Sequence, residues 1–185
     1  MTLAFEDLSD IHRTLLREAR KAARGAYAPY SRFAVGSAVL LADSTILSAA
    51  NMENASYGIT ICAEVGAMQQ AVTKHDEPIS AIAVVGFGFW PEHATLDVVT
   101  PCGRCRQIIS EIAQKQKSEI EVICANGDLD KINVYRISEL LPDAFGPAAL
   151  GGNFQWQLSR QELLRLADTI EGRPNLSRTT RRLRQ

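Results

Sequence analysis

The chain has 185 residues, 46% of them hydrophobic and 22% charged, with a formal net charge of −1. That is enough apolar material for one ordinary core, and so even a charge balance gives no global attraction to nucleic acid or to a membrane surface. The start, Met1 to Tyr27, does not read as a secretory signal: Glu6, Asp7, Asp10, Arg13, Arg17 and Glu18 interrupt it, and no run reaches membrane-spanning length. A cytoplasmic protein is expected, whose four cysteines stay reduced.

In chain order, Phe5, Leu8, Ile11, Leu15, Ala19 and Ala22 recur at helical spacing and predict an amphipathic helix over roughly residues 5–24, ended near Gly25. Two strands follow, Phe33 to Leu41 and Thr45 to Asn51, turned by Ala42-Asp43-Ser44. A loop over 52–61 leads to a helix from about Cys62 to His75. Ile79 to Gly86 is a continuous apolar strand, and Pro101-Cys102 opens a helix that runs to about Gln114. Strands at 120–125 and 131–136 are joined by Asn126-Gly127-Asp128. This alternation predicts a mixed sheet with helices on both faces. Leu158, Leu163, Leu164, Leu166 and Ala167 suggest one more short helix, before a tail that carries Arg178, Arg181, Arg182 and Arg184.

The chemistry concentrates in Cys62-Ala63-Glu64 and Pro101-Cys102-Gly103-Arg104-Cys105. Three cysteines in two clusters give Zn²⁺ three protein ligands and leave a fourth tetrahedral position for water, the arrangement of a catalytic site; structural zinc usually takes four protein ligands. Glu64 is not needed as a ligand and is placed to move protons between that water and a substrate. A lone C-x-x-C also suits a redox pair or half of a zinc ribbon. The ribbon reading lacks a second C-x-x-C, since Cys124 lies in the apolar run Ile120-Glu121-Val122-Ile123-Cys124 and reads as core packing. The redox reading leaves Cys62 and Glu64 unexplained.

Longer segments agree with the hydrolytic reading. Ala28-Pro29-Tyr30-Ser31-Arg32-Phe33-Ala34-Val35-Gly36, Asn51-Met52-Glu53-Asn54-Ala55-Ser56-Tyr57-Gly58, Cys102-Gly103-Arg104-Cys105-Arg106-Gln107 and Glu139-Leu140-Leu141-Pro142-Asp143-Ala144-Phe145-Gly146-Pro147 follow one another in an order that resembles the short-chain, free-nucleoside cytidine deaminases over about the first 150 residues. The resemblance implies an α/β fold, a three-layer α/β/α sandwich around a mixed five-stranded sheet, with a catalytic domain at 1–152 and a C-terminal extension at 153–185. It implies one Zn²⁺ per chain on Cys62, Cys102 and Cys105, with Glu64 as the catalytic acid and base in the deamination of cytidine and 2′-deoxycytidine, a reaction of pyrimidine salvage.

Carried over position by position, Asn51 and Glu53 resemble the pair that binds the sugar 3′-hydroxyl, and Phe33 the ring that packs on the pyrimidine. Ala63 and Thr100 resemble the residues whose backbone groups bind the base. Tyr57 and Phe145 resemble aromatics that reach a neighbouring subunit's site, which implies a homotetramer with shared active sites. Such closed pockets make nucleic acid an unlikely partner.

Three departures stand out. The commoner pattern is C-A-E-R, and here Val65 follows Glu64, so the guanidinium that would offset the excess charge of three thiolates is expected from Arg104, as in the P-C-G-R-C branch shared with blasticidin-S-type enzymes. The aromatic stretch Gly86 to His93 is longer than usual, which keeps open a larger cytosine nucleoside such as blasticidin S or an N4-substituted cytidine. The basic tail keeps open a non-catalytic zinc- or nucleic-acid-binding module. His12 and His75 are expected at exposed helix positions, and His93 in the loop.

Overall fold

Strands that are buried on both faces read as unbroken apolar runs, and three such runs form the centre of the sheet in the computed structural model, which describes residues 3–89, 97–150 and 160–171. The five strands are β1 (Phe33–Leu41), β2 (Ile46–Ala50), β3 (Ile79–Gly88), β4 (Glu121–Asn126) and β5 (Ile132–Arg136), in the order β2-β1-β3-β4-β5. The β3/β4 pair is parallel and the other pairs are antiparallel. A parallel pair requires a crossover, and helix α3 (Gly103–Gln116) lies within it.

Alternation along the strands divides the interior into two apolar layers. On one face, Leu15, Leu16 and Ala19 of helix α1 (Asp10–Ala23) pack on Ala38, Ala83, Val85, Ile123 and Ile132. On the other, Ala67, Met68 and Ala71 of α2 (Ala63–Lys74) and Ile109 and Ala113 of α3 pack on Val39, Ile82, Val122 and Cys124. The result is the expected mixed sheet between helices. At Gly36 a Cβ would stand 1.9 Å from the Ala19 carbonyl oxygen, so only glycine lets α1 lie this close to β1.

Several boundaries differ from the sequence reading. Helix α1 begins at Asp10, not at residue 5. Phe5–Asp7 forms a separate 3₁₀ turn, and the Ser9 hydroxyl accepts a hydrogen bond from the His12 N–H at 3.3 Å, so capping chemistry overrides an apolar period that continues through it. His12 is half-buried, not exposed, and its Nε2 lies 3.1 Å from Glu121 Oε2; His75 is likewise half-buried at the C-cap of α2. Strand β3 extends to Gly88 because Phe33 and Ala34 of β1 pair with Gly88 and Phe87, so the first part of the expected aromatic loop is sheet. Cys62 and Cys102 are N-caps and not first helical residues, and α3 continues to Gln116, where Lys117 turns the chain at φ 56°.

The chain divides into two compact units, Met1–Leu150 and Gly151–Gln185. The first also contains the four-residue helix α4 (Ile137–Leu140). In the second, helix α5 (Arg160–Glu171) covers most of the predicted tail helix, and Leu163, Leu164 and Leu166 are exposed on it. The rest of the aromatic stretch with His93, and the arginine-rich end, lie outside the described residues. Among the described residues no helix is long and apolar enough to cross a membrane.

Candidate active site

Two helix N-termini meet on the α2/α3 side of the sheet and bring together cysteines that are forty residues apart in sequence. Cys62 caps α2 and Cys102 caps α3, both with extended backbone and neither with its sulfur bonded to a backbone N–H of its helix, which leaves the sulfurs free to face each other. Their Sγ atoms are 3.9 Å apart, Cys102 Sγ is 3.5 Å from Cys105 Sγ, and all three sulfurs lie within 4.8 Å of one another. A tetrahedral Zn²⁺ with Zn–S bonds of about 2.3 Å requires sulfurs about 3.8 Å apart. The cluster therefore fits that ion, and the positive ends of two helix dipoles favour thiolates there.

Exposure falls along the cluster, from exposed Cys102 through half-buried Cys62 to Cys105 at 1%. The Cys62 thiol is lowered to about 6, first by a hydrogen bond from Cys105, then by one from Cys102 and by the charge of Arg104, against the opposing effect of burial. Cys105 is pushed up by the hydrogen bond it gives Cys62 and by burial. Glu64 follows in the first turn of α2 at 4% exposure. Burial raises its pKa and the Cys62 charge adds to this, while hydrogen bonds from its own N–H and from Cys105 oppose the rise. A carboxyl held this way is a stronger base than an exposed one.

Cys124, on β4, is fully buried in the core beneath α2 and α3, and burial raises its thiol to about 12. It is not among the three clustered sulfurs.

Around this centre the structure places the other predicted residues. Phe33, half-buried at the start of β1, lies against Gly86, where a Cβ would come within 2.8 Å of its ring and 3.0 Å of Val99. The absence of a side chain at 86 gives the ring its place. Asn51 holds β1, with Oδ1 accepting from the Val35 N–H at 2.9 Å and Nδ2 donating to the Phe33 carbonyl at 3.0 Å. Glu53 Oε2 accepts from the N–H groups of Tyr30 and Ser31 at 2.9 and 3.1 Å. Burial works to raise the Glu53 pKa, but these bonds and the Ser31 hydroxyl lower it overall. Ala63 is buried and Thr100 is exposed. Tyr57 and Phe145 are 74% and 59% exposed; Tyr57 meets the edge of Tyr30 in a ring pair, at 6.2 Å between centroids. The Arg104 guanidinium donates to the Thr60 carbonyl at 3.2 Å and acts on Cys62 through space, beside a half-buried Val65.

The sequence reading assigned nothing to Arg106 and Gln107, which continue the second cysteine motif. Arg106 donates from Nε to the Pro101 carbonyl (2.8 Å), from Nη1 to the Leu140 carbonyl (3.1 Å) and from Nη2 to Thr100 Oγ1 (3.3 Å). Gln107 Nε2 donates to the Phe145 carbonyl at 2.8 Å. The available signal was their position in the first turns of a helix whose N-cap is a candidate ligand.

Comparison with known proteins agrees with this geometry. The family model of the cytidine and deoxycytidylate deaminase zinc-binding region matches residues 9–119. The chain is 44% identical over 133 residues to a cytidine deaminase of Halalkalibacterium halodurans, an alignment that covers 71% of this chain and 91% of that protein. It is 38% identical over 141 residues to the cytidine deaminase of Mycobacterium tuberculosis, covering 75% and 93%. Among solved structures, the cytidine deaminase from Burkholderia pseudomallei superposes with a TM-score of 0.63 at 39% identity, covering 72% of this chain and 98% of that one.

Proposed function

Because the chain belongs to the cytidine and deoxycytidylate deaminase family, we propose that it hydrolyses the exocyclic amino group of cytidine and 2′-deoxycytidine, releasing ammonia and leaving uridine or 2′-deoxyuridine. The observation that carries this reading is a buried carboxyl, Glu64, in the same helical turn that presents Cys62 to a three-sulfur metal site.

Cys62, Cys102 and Cys105 would hold the zinc, which when bound supplies a Lewis acid that makes a water nucleophilic at neutral pH. Glu64 would take a proton from the attacking water and give it to ring N3 as C4 gains its hydroxyl. It would then take the proton of the new C4 hydroxyl and pass it to the amino group, which leaves as ammonia as the C4 carbonyl forms, so one residue serves as base and then as acid. Its exclusion from solvent suits both roles.

Substrate contacts follow from the placed groups. Phe33 offers an apolar face to the pyrimidine. The N–H of Ala63 can donate to a base oxygen, and the carbonyl of Thr100 can accept from the amino group. Asn51 keeps one amide hydrogen beyond the bonds that anchor it, and Glu53 is a carboxylate held beside it; both suit a ribose hydroxyl. Arg104 supplies positive charge to a site whose three thiolates exceed the metal's charge, the task of the arginine that Val65 displaces. Tyr57 and Phe145, exposed as they are, suit contact with a neighbouring subunit in a homotetramer with shared sites, which would close each pocket to a nucleic-acid strand. A cytoplasmic place in pyrimidine salvage fits this substrate.

Ammonia release on cytidine, deoxycytidine, cytosine, blasticidin S and N4-substituted cytidines tests the reading. The two unmodified nucleosides are expected to turn over fastest and free cytosine slowly. Cytosine turning over as fast as cytidine would reject the ribose contacts, and no release from any of the five would reject the activity.

A further inference from the structure

Arg106 is a half-buried guanidinium that, among the described residues, forms no ion pair with a carboxylate. Each of its three nitrogens donates one hydrogen bond to a neutral acceptor, and these acceptors belong to two segments: Thr100 and Pro101, immediately before the α3 cap, and Leu140, the last residue of α4. Burying part of a charge without a counter-ion has a cost. Here the compensation is geometric, because the planar fork fixes several acceptors in one arrangement. Proline restricts the residue before it to extended conformations and fixes its own φ. The main freedom left in the turn is the ψ angle of Pro101 and the side-chain torsion of Thr100. Holding Thr100 Oγ1 and the Pro101 carbonyl removes it, and the Leu140 carbonyl anchors the other side of the fork.

We propose that Arg106 is a positioning residue for base recognition: by clamping Thr100 and Pro101 to α4 it aims the Thr100 carbonyl at the exocyclic amino group of the substrate, and so helps the site to prefer cytosine nucleosides over their keto products. This rests on the base contact assigned to Thr100 above. Lysine cannot replace it, since one ammonium cannot meet three acceptors spread across a fork.

The test uses the full-length zinc-loaded enzyme and Arg106→Lys and Arg106→Ala, with kcat and KM for cytidine, the inhibition constant of uridine, and zinc per chain. Uridine has no amino donor at C4, so loss of the aimed carbonyl leaves its binding unchanged. In both variants the expected result is about one zinc per chain, a cytidine KM raised by about tenfold, as for one hydrogen bond lost, kcat within about twofold, and an unaltered uridine constant. Should Arg106→Ala fail to fold, Arg106→Lys alone decides. An unchanged KM, an equal weakening of cytidine and uridine, or loss of zinc would each overturn the clamp and leave Arg106 a packing or metal-helix residue. Wild-type enzyme that binds uridine as tightly as cytidine would instead remove the Thr100 contact itself, and the clamp with it.

Discussion

Glu64 and Cys105, at 4% and 1% exposure, lie at the closed end of the site, whereas Tyr57 and Phe145, at 74% and 59%, stand open on segments that flank the same two helices. The closed end is complete within one chain: two helix N-termini, three sulfurs at zinc-binding separation and a shielded carboxyl, all supported by the apolar layer between α2, α3 and the sheet. The open segments carry large aromatic and aliphatic side chains with little to cover them, Tyr27, Met52 and Ile59 among them. These exposed groups are what the proposed subunit contact would cover. On the proposed reading, reactivity belongs to the folded chain and substrate enclosure to its assembly.

That division can be broken most forcefully at the closed end. Cys62→Ala, Cys102→Ala and Cys105→Ala should each lose both metal and activity, since each removes one of three ligands. Cys124→Ala should keep about one zinc per chain and cost only core stability, about 1–3 kcal/mol read from denaturant unfolding. Loss of metal in Cys124→Ala with retention in Cys62→Ala would refute the assignment.

Next in size is Glu64→Gln, which keeps shape and hydrogen bonding but cannot carry a proton. Turnover should fall at least about 10²-fold while zinc stays bound. Because a buried carboxylate is costly to desolvate, thermal stability should hold or rise. Near-normal turnover would remove Glu64 from the chemistry.

At the open segments the expected effects are smaller and depend on assembly. Tyr57→Ala and Phe145→Ala should weaken subunit association and raise KM by about tenfold, the scale of one truncated interfacial aromatic, with zinc content unchanged; sedimentation and steady-state kinetics read the two together. A wild-type monomer with full activity would end the shared-site reading.

Arg104 lies between the two regions and should give the smallest change. Arg104→Ala should lower activity or zinc retention by severalfold, as expected of a partly exposed charge acting through space, and adding Val65→Arg should restore part of the loss. Normal zinc content with an unchanged pH–rate profile would leave Arg104 a surface residue bonded to Thr60.

Much of this was legible in particular residues. The two cysteine motifs announced a three-ligand metal site because zinc chemistry needs few atoms of fixed type, and the apolar runs of β1, β3 and β4 announced strands because both of their faces are buried. The start of α1 was misread because the apolar period passes through Leu8 without a break, while the boundary is set by one hydroxyl, that of Ser9, and one N–H. The last residues of β3 were read as loop because Gly86-Phe87-Gly88 has no strand pattern of its own; its backbone partners are supplied by Phe33 and Ala34, more than fifty residues away.

By itself the sequence determined the chemistry of the closed end: which atoms can bind the metal, which carboxyl can move a proton, and a family resemblance dense enough to imply the substrate. Only the tertiary structure decided how those atoms are held. That Cys62 and Cys102 are caps facing one another, that Asn51 and Glu53 anchor β1 and the 30–31 turn, and that Arg106 ties Pro101 to Leu140 all depend on backbone groups. Every residue carries the same carbonyl and, proline apart, the same N–H, so a sequence names the side chain that will bond but not the distant backbone that will receive it.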